Sequence, residues 1–353
     1  MQIISLVVAG LLVAAVTLPA HAQAKRQIET SANAPWKHAQ TGITLPSSLL
    51  GIARGSIDDN SSSQIDVFAN YGEGQATIIT LYVFRPALTS VPMWFDRSET
   101  QILMRDVYGN ATPATPATAF APPGSKATSA LRRIYLPGKG EYKSTGLAIM
   151  PIGEWLVAVR ISSQEFDAAA LDAKLTEVIK TLGWPEKVIE QPPAVPIAPC
   201  SAPLPYAKKA KLKAPNMMDA LLGATLSTMV ADEAAKDKDA SPPEKATPIT
   251  WCREGNPTQA FGAYRVVGFD TGYTIALGDA GIVIDVNTGL AALVNKESTY
   301  QLKLEMLDRT LVYPSFDKLP TPDAAIAAVK SSSPISSVER GTKNIVISAD
   351  TTK

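Results

Sequence analysis

Seven prolines crowd residues Pro185 to Pro205, and no compact core runs unbroken through such a stretch. Proline fixes φ and cannot donate to a helix or a sheet ladder, so the tract favours extended backbone. It is read as a semi-rigid linker over residues 185–205. A first unit at 34–184 and a second at 206–353 flank it. The sharper alternative, a ligand for an SH3-type domain, suits this Ala-rich chain poorly.

The other constraint stands at the start. Ile3 to Val16 is apolar except for Ser5 and Gly10, and Leu18-Pro19 then breaks a helix. Ala20-His21-Ala22 has the small residues of a signal-peptidase site, so residues 1–22 are expected to be cleaved before Gln23. An uncleaved anchor is the rival reading. The run is shorter than the roughly 20 apolar residues of a bilayer span. Neither a twin arginine nor a Cys at the cleavage point accompanies it, which indicates Sec-type export to the periplasm or beyond without a lipid anchor. No transmembrane anchor is expected after cleavage.

An oxidising compartment gives the two cysteines, Cys200 and Cys252, a meaning. A disulfide is the ordinary outcome there. Closing about 52 residues would stabilise the fold by roughly 4 kcal/mol in the chain-entropy model. A redox-active or metal-binding pair is the alternative, but C-x-x-C spacing and a nearby His are both missing.

Charge is balanced, with 33 basic and 33 acidic residues. The balance is also local, with 16 of each sign in residues 23–190 and 17 of each in 191–353. Nucleic-acid binding needs a basic excess to displace phosphate counterions, so no nucleic-acid partner is expected.

In the first unit, strands are predicted over 64–69, 75–84, 131–136, 144–150 and 154–162. A helix is predicted over 91–108, with Pro92 early and Gly109 at its end, and another over 164–182. Leu171, Leu175, Val178 and Leu182 mark one face of the latter. Residues 110–128, rich in Pro, Ala and Thr, read as a mobile loop. In the second unit a helix follows Asn216, with Met218, Leu221, Leu222, Thr225 and Met229 on one face as core filler. Residues 231–248 read as a charged surface loop. Strands are expected over 249–252, 263–269, 273–277, 281–286, 300–306, 310–313 and 344–348, and a helix begins at Thr321-Pro322. Short turns cannot make parallel crossovers. The expectation is therefore α+β, two domains each with a mainly antiparallel sheet and a few packed helices.

Thr44-Leu45-Pro46, the strand Thr77-Ile78-Ile79-Thr80-Leu81-Tyr82-Val83 and the terminal Phe166-to-Leu182 helix carry a resemblance over residues 34–184. In its order of strands, helix, three strands and helix this unit resembles the PsbP-like family of exported or lumenal α/β/α sandwich domains. The resemblance implies a binding or assembly module rather than an enzyme, and it carries over no functional residue.

Catalytic chemistry is sparse. His38 is the sole histidine after residue 22, so Ser-His-Asp or Cys-His catalysis would have to use it. It reads as structural. Phosphate-binding glycine motifs are missing, and no cofactor or metal site is expected. Ser315-Phe316-Asp317-Lys318 is a Ser-x-x-Lys, which on a helix would set an amine beside a hydroxyl. Pro314, Pro320 and Pro322 argue against that helix. Asp58-Asp59-Asn60 with Asp66 has the composition of a calcium loop but lacks its Gly and Glu, so a polar turn is expected. Glu141, Glu154 and Glu165 would make a glycosidase pair only if folding brought two together. Lys208, Lys209, Lys211 and Lys213 form a basic cluster, either a contact for an anionic surface or a solvated face. The function expected is a non-enzymatic exported module binding an envelope protein or ligand. The alternative is a His-independent hydrolase using Ser315 and Lys318.

Overall fold

The computed structural model describes residues 26–217, 220, 221, 223, 249–288, 299–342 and 344–348. The leader, residues 231–248, and the stripe Met218, Leu222, Thr225 and Met229 lie outside these residues. Early strands are β1 (Arg26–Gln27), β2 (Trp36–Lys37), β3 (Thr44–Leu45) and β4 (Ser48–Leu49). Long strands follow as β5 (Ile52–Asp59), β6 (Asp66–Tyr71) and β7 (Thr77–Phe84). Helix α1 (Val91–Met104) and a 3-10 turn at Asp106–Tyr108 come next. Then come β8 (Thr112–Pro113), β9 (Thr118–Phe120), β10 (Ala130–Leu136), β11 (Ser144–Ile152), β12 (Trp155–Ser163) and α2 (Ala168–Thr181). The later part holds β13 (Ala198–Pro199), β14 (Trp251–Glu254), β15 (Phe261–Val266), β16 (Gly272–Leu277) and β17 (Ile282–Thr288). It closes with β18 (Tyr300–Glu305), β19 (Arg309–Phe316), α3 (Pro322–Ser331), β20 (Ser336–Glu339) and β21 (Ile345–Ile347).

The first sheet runs β1-β5-β6-β7-β12-β11-β10-β8, with β4 on β5 and β9 on β10. The second is a meander in chain order from β13 to β21, antiparallel except for the β13–β14 pair. The expected α+β class is therefore corrected: the molecule is β-rich, built on two large antiparallel sheets. Three α-helices are defined among the described residues, α3 packed on the second sheet and α1 lying between the two sheets. The weight shifts because strands arise where none was expected. Residues 110–128 supply β8 and β9, and β5, β13 and β20 lack the composition that marks a strand.

Alternation positions everything on the first sheet. Ile79, Leu81 and Val83 of β7, Val67 and Ala69 of β6, and Val157, Val159 and Ile161 of β12 point to one face. There they bury Leu171, Leu175, Val178 and Ile179 of α2. Full burial of each such side chain stabilises the fold by about 1.5–3 kcal/mol. Gly146 allows the approach, since a Cβ there would lie 2.9 Å from Ile134 and 3.5 Å from Leu171. Leu147 and Ile149 of β11 and Leu156 and Ala158 of β12 face the other way, onto α1. Ser90 caps α1 by accepting from Met93 N, and Asp167 caps α2 by accepting from Ala170 N.

Helix α1 also touches the second sheet. Trp94 shares one apolar cluster with Phe84, Tyr264, Ala276 and Val283. Its polar face is buried too. Arg97, fully enclosed, donates to the carbonyls of Gly278, Thr258 and Gln259. Asp96 accepts from Arg253 and Tyr264. Further along the junction, Ala87 N donates to Gly281 O at 2.8 Å, and Arg340 reaches Pro86 O and Glu154. The proline tract follows the surface: Ala194 is buried and its N–H donates to Thr128 O.

Candidate functional site

Helix α1 packs chiefly on β10 and β11 and leaves Phe68–Asn70, Ile78–Tyr82 and Arg160–Ser162 of β6, β7 and β12 open on the same face of the first sheet. Alternate residues of those strands form a floor: half-buried Phe68 and Asn70, then Ile78, Thr80 and Tyr82, then Arg160 beside buried Ser162. The ladder sets Asn70 opposite Thr80 and Thr80 opposite Arg160, a polar row across three strands. Walls rise from Arg105, Val107 and Tyr108 at the end of α1 and from Tyr142 between β10 and β11. The cleft measures about 330 Å³.

The wall is held by backbone geometry. Gly109 sits at φ 49°, the left-handed region that glycine enters without strain, and turns the chain after Tyr108. Gly138 N then donates to Tyr108 O at 2.8 Å. A Cβ at Gly140 would fall 2.6 Å from Val107 O, so only glycine fits that approach. Below the wall, Thr145 donates to Ile161 O, which leaves its oxygen to accept from Ser162. Ser162 in turn accepts from Tyr108, 2.8 Å away. The Tyr108 proton is thereby committed, and its oxygen remains an acceptor toward the cleft.

Electrostatically the cleft is cationic. Arg105 and Arg160 line it, and none of the lining residues is Asp or Glu. The Arg105 guanidinium lies 5.9 Å from the Tyr108 ring centroid, and the Tyr108 and Tyr142 rings are 5.9 Å apart. Arg160 stands out among the arginines. The Nε atoms of Arg54, Arg85, Arg133, Arg160 and Arg253 are all buried without a partner. Arg54, Arg85, Arg133 and Arg253 compensate by donating through their terminal nitrogens. The Arg160 side chain makes no hydrogen bond and no ion pair among the described residues. Burial raises the Tyr82 hydroxyl above its ordinary pKa, while Arg160 pulls it down. The phenol is therefore neutral at physiological pH.

A second cavity of about 180 Å³ lies where Asn60–Ser63 and Asp66 meet Ala280, Ile282 and Met306–Asp308. Its carboxylates have local duties. Asp66 accepts from Asn60 and Asp308 from Arg309, and the neighbouring Asp59 accepts from Ser61 and from Gln64 N. This is turn chemistry, and among the described residues no three His, Cys, Asp or Glu side chains gather to hold a metal.

The remaining sequence candidates are scattered. Cys200 and Cys252 form a disulfide. His38 is fully buried, with Nδ1 2.9 Å from Thr41 Oγ1 and Nε2 2.9 Å from Gln64 O. Since the Gln64 carbonyl can only accept, Nε2 carries the proton. Burial lowers the His38 pKa, so the ring is neutral and structural. Ser315 is buried in strand β19, Lys318 is exposed beyond its end, and no hydrogen bond joins them among the described residues. Glu154 pairs with Arg340 beyond one end of β11, while Glu141 accepts from Gln164 beyond the other, roughly 30 Å away along the strand. Lys211 and Lys213 donate backbone N–H groups to Asp317 and to Ser315 O, tying their segment to β19. None of these residues belongs to the cleft.

Sequence reasoning missed Arg105, Tyr108, Tyr142 and Arg160. One signal was present: Arg160 is the lone charge in the strand Trp155–Ser163, where the neighbouring positions are apolar or small. Comparison of the chain with protein-family models, curated proteins and solved structures finds no match.

Proposed function

We propose that this chain is an exported, non-enzymatic binding protein whose ligand sits in the cleft over β6, β7 and β12. One observation carries the reading. Arg160 holds a guanidinium on the floor of a cavity with no hydrogen bond or ion pair to a protein side chain or carbonyl among the described residues, which leaves its terminal nitrogens to meet an occupant. The other arginines with an orphaned Nε spend their terminal nitrogens on protein acceptors, as Arg54 does on four carbonyls.

Export is supported by the apolar leader with Ala20-His21-Ala22 and by the Cys200–Cys252 disulfide. Among the described residues no helix is long and apolar enough to cross a membrane. The resemblance of residues 34–184 to the PsbP-like family implies the same binding role. The occupant would be an envelope ligand.

A small-molecule library screened by ligand-observed NMR tests the reading. Ligands that compete for one site and are lost in Arg160→Gln support it. Hits indifferent to that substitution argue against it. Labelling of Ser315 by a serine-reactive phosphonate would replace it with the hydrolase alternative.

A further inference from the structure

We infer that the cleft's ligand is a small organic oxyanion, one carboxylate or phosphate group carried on a ring-bearing apolar body. The inference rests on the proposed binding role and specifies its chemistry.

The anion follows from the donors. Arg160 presents a planar guanidinium whose fork matches two oxygens of a carboxylate or phosphate, and it is held on a strand rather than on a loop. Arg105 stands on the wall, near the Tyr108 ring. Two cations share one cleft with no carboxylate among the residues lining it, so the lining favours an anionic group. A neutral ligand would leave both charges as they are.

The apolar body follows from the rest of the lining. Phe68, Tyr82, Tyr108 and Tyr142 surround the polar row, and aromatic faces take a ring by stacking or edge contact. Tyr108, with its proton committed to Ser162, offers an acceptor for one donor on that ring. The volume, about 330 Å³, is at the low end of ligand pockets and suits a single-ring molecule. Free inorganic phosphate would use the arginines and leave the aromatic walls idle.

The test titrates the purified chain with benzoate, phenyl phosphate, benzamide and inorganic phosphate, following the Tyr82, Tyr108 and Tyr142 ring resonances by NMR. At least one of the two ring-bearing anions is expected to bind about tenfold or more tighter than benzamide, the effect of one charge-assisted pair. The stronger of the two names the oxyanion. Arg160→Gln should lower anion affinity to the benzamide level, and Arg160→Lys should restore part of it. An unchanged melting temperature in both variants assigns the loss to the site. Benzamide binding as tightly as the anions, with Arg160→Gln silent, overturns the oxyanion and leaves a neutral-ligand cleft. Inorganic phosphate matching phenyl phosphate overturns the ring. If none of the four probes moves the three tyrosines, the binding role falls with the inference.

Discussion

The Asp96 carboxylate of α1 accepts a hydrogen bond from the Tyr264 hydroxyl of β15 at 2.7 Å, joining residues 168 positions apart in sequence. Its other oxygen takes Arg253 Nη1 at 2.5 Å. Asp96 is nearly sealed from solvent, with its side chain 6% exposed, against 20% for Arg253. Removing the carboxylate by Asp96→Ala strands both donors and should cost roughly 2–4 kcal/mol, somewhat less than a fully buried pair because Arg253 reaches water. Asp96→Asn keeps the Tyr264 bond and should cost less. Urea denaturation measures both. A loss under about 1 kcal/mol for the alanine variant would reduce the contact to a surface pair.

Gly262 lies beside that junction. A Cβ there would meet Tyr264 Oη at 2.6 Å and Arg97 Nη1 at 3.0 Å. Gly262→Ala should therefore destabilise by about 1–3 kcal/mol through overpacking. Tyr264→Phe deletes the clashing oxygen, so the double variant should lose less than the sum of the single losses. Strict additivity in the denaturation cycle would refute the clash.

Reduction of Cys200–Cys252 should lower stability by roughly 2–5 kcal/mol, because the bridge closes a separation of 52 residues and clamps β13 to β14. Urea midpoints with and without dithiothreitol, alongside a Cys200→Ser/Cys252→Ser variant, report the effect. Identical midpoints would mean the pairing adds no constraint on the unfolded chain.

Glu305 on β18 sits diagonally from Asp285 on β17, on one face of the second sheet. Its pKa is pushed up to about 7, first by burial and then by the Asp285 carboxylate. Burial likewise raises Asp285. A carboxyl whose folded pKa exceeds its unfolded value favours folding while protonated. The contribution is full below about pH 4.5 and is lost as pH rises through about 7. Wild type should therefore lose roughly 1–3 kcal/mol between pH 5 and pH 8 relative to Glu305→Gln, whose amide does not titrate. Taking the difference cancels His38, which acts with the opposite sign because burial lowers its pKa. Parallel stability curves for the two proteins would remove Glu305 from the pH response.

Much of this architecture was legible where one side-chain property dominates. Ile79, Leu81 and Val83 alternate with Ile78, Thr80 and Tyr82, and that period fixes β7 and both of its faces. Thr321-Pro322 starts α3 as its capping chemistry requires. Where partners create the element, the sequence was mute. Ile52–Asp59 is a strand because β6 and β1 pair with it and Arg54 finds four carbonyls, not because its residues favour extended backbone. Strand β20, Ser336–Glu339, is similar. Such strands turned an expected balance of helix and sheet into a β-rich molecule. The cleft was hidden for the same reason. Arg105, Tyr142 and Arg160 come from three separate segments, and only the pairing of β7 with β12 and the fold-back after Gly109 bring them together.

The polyproline tract acts as a strap. Glu190 is bound by Ser125 and by the N–H groups of Lys126 and Ala127, Ala194 by Thr128, and Cys200 by both a strand ladder and a covalent bond. Pulling the two sheets apart would load these attachments, along with the direct bonds of α1 and Ala87 to the second sheet, before the intervening chain could straighten. The length of this segment therefore sets no reach between the sheets: the anchors at its ends carry the tension.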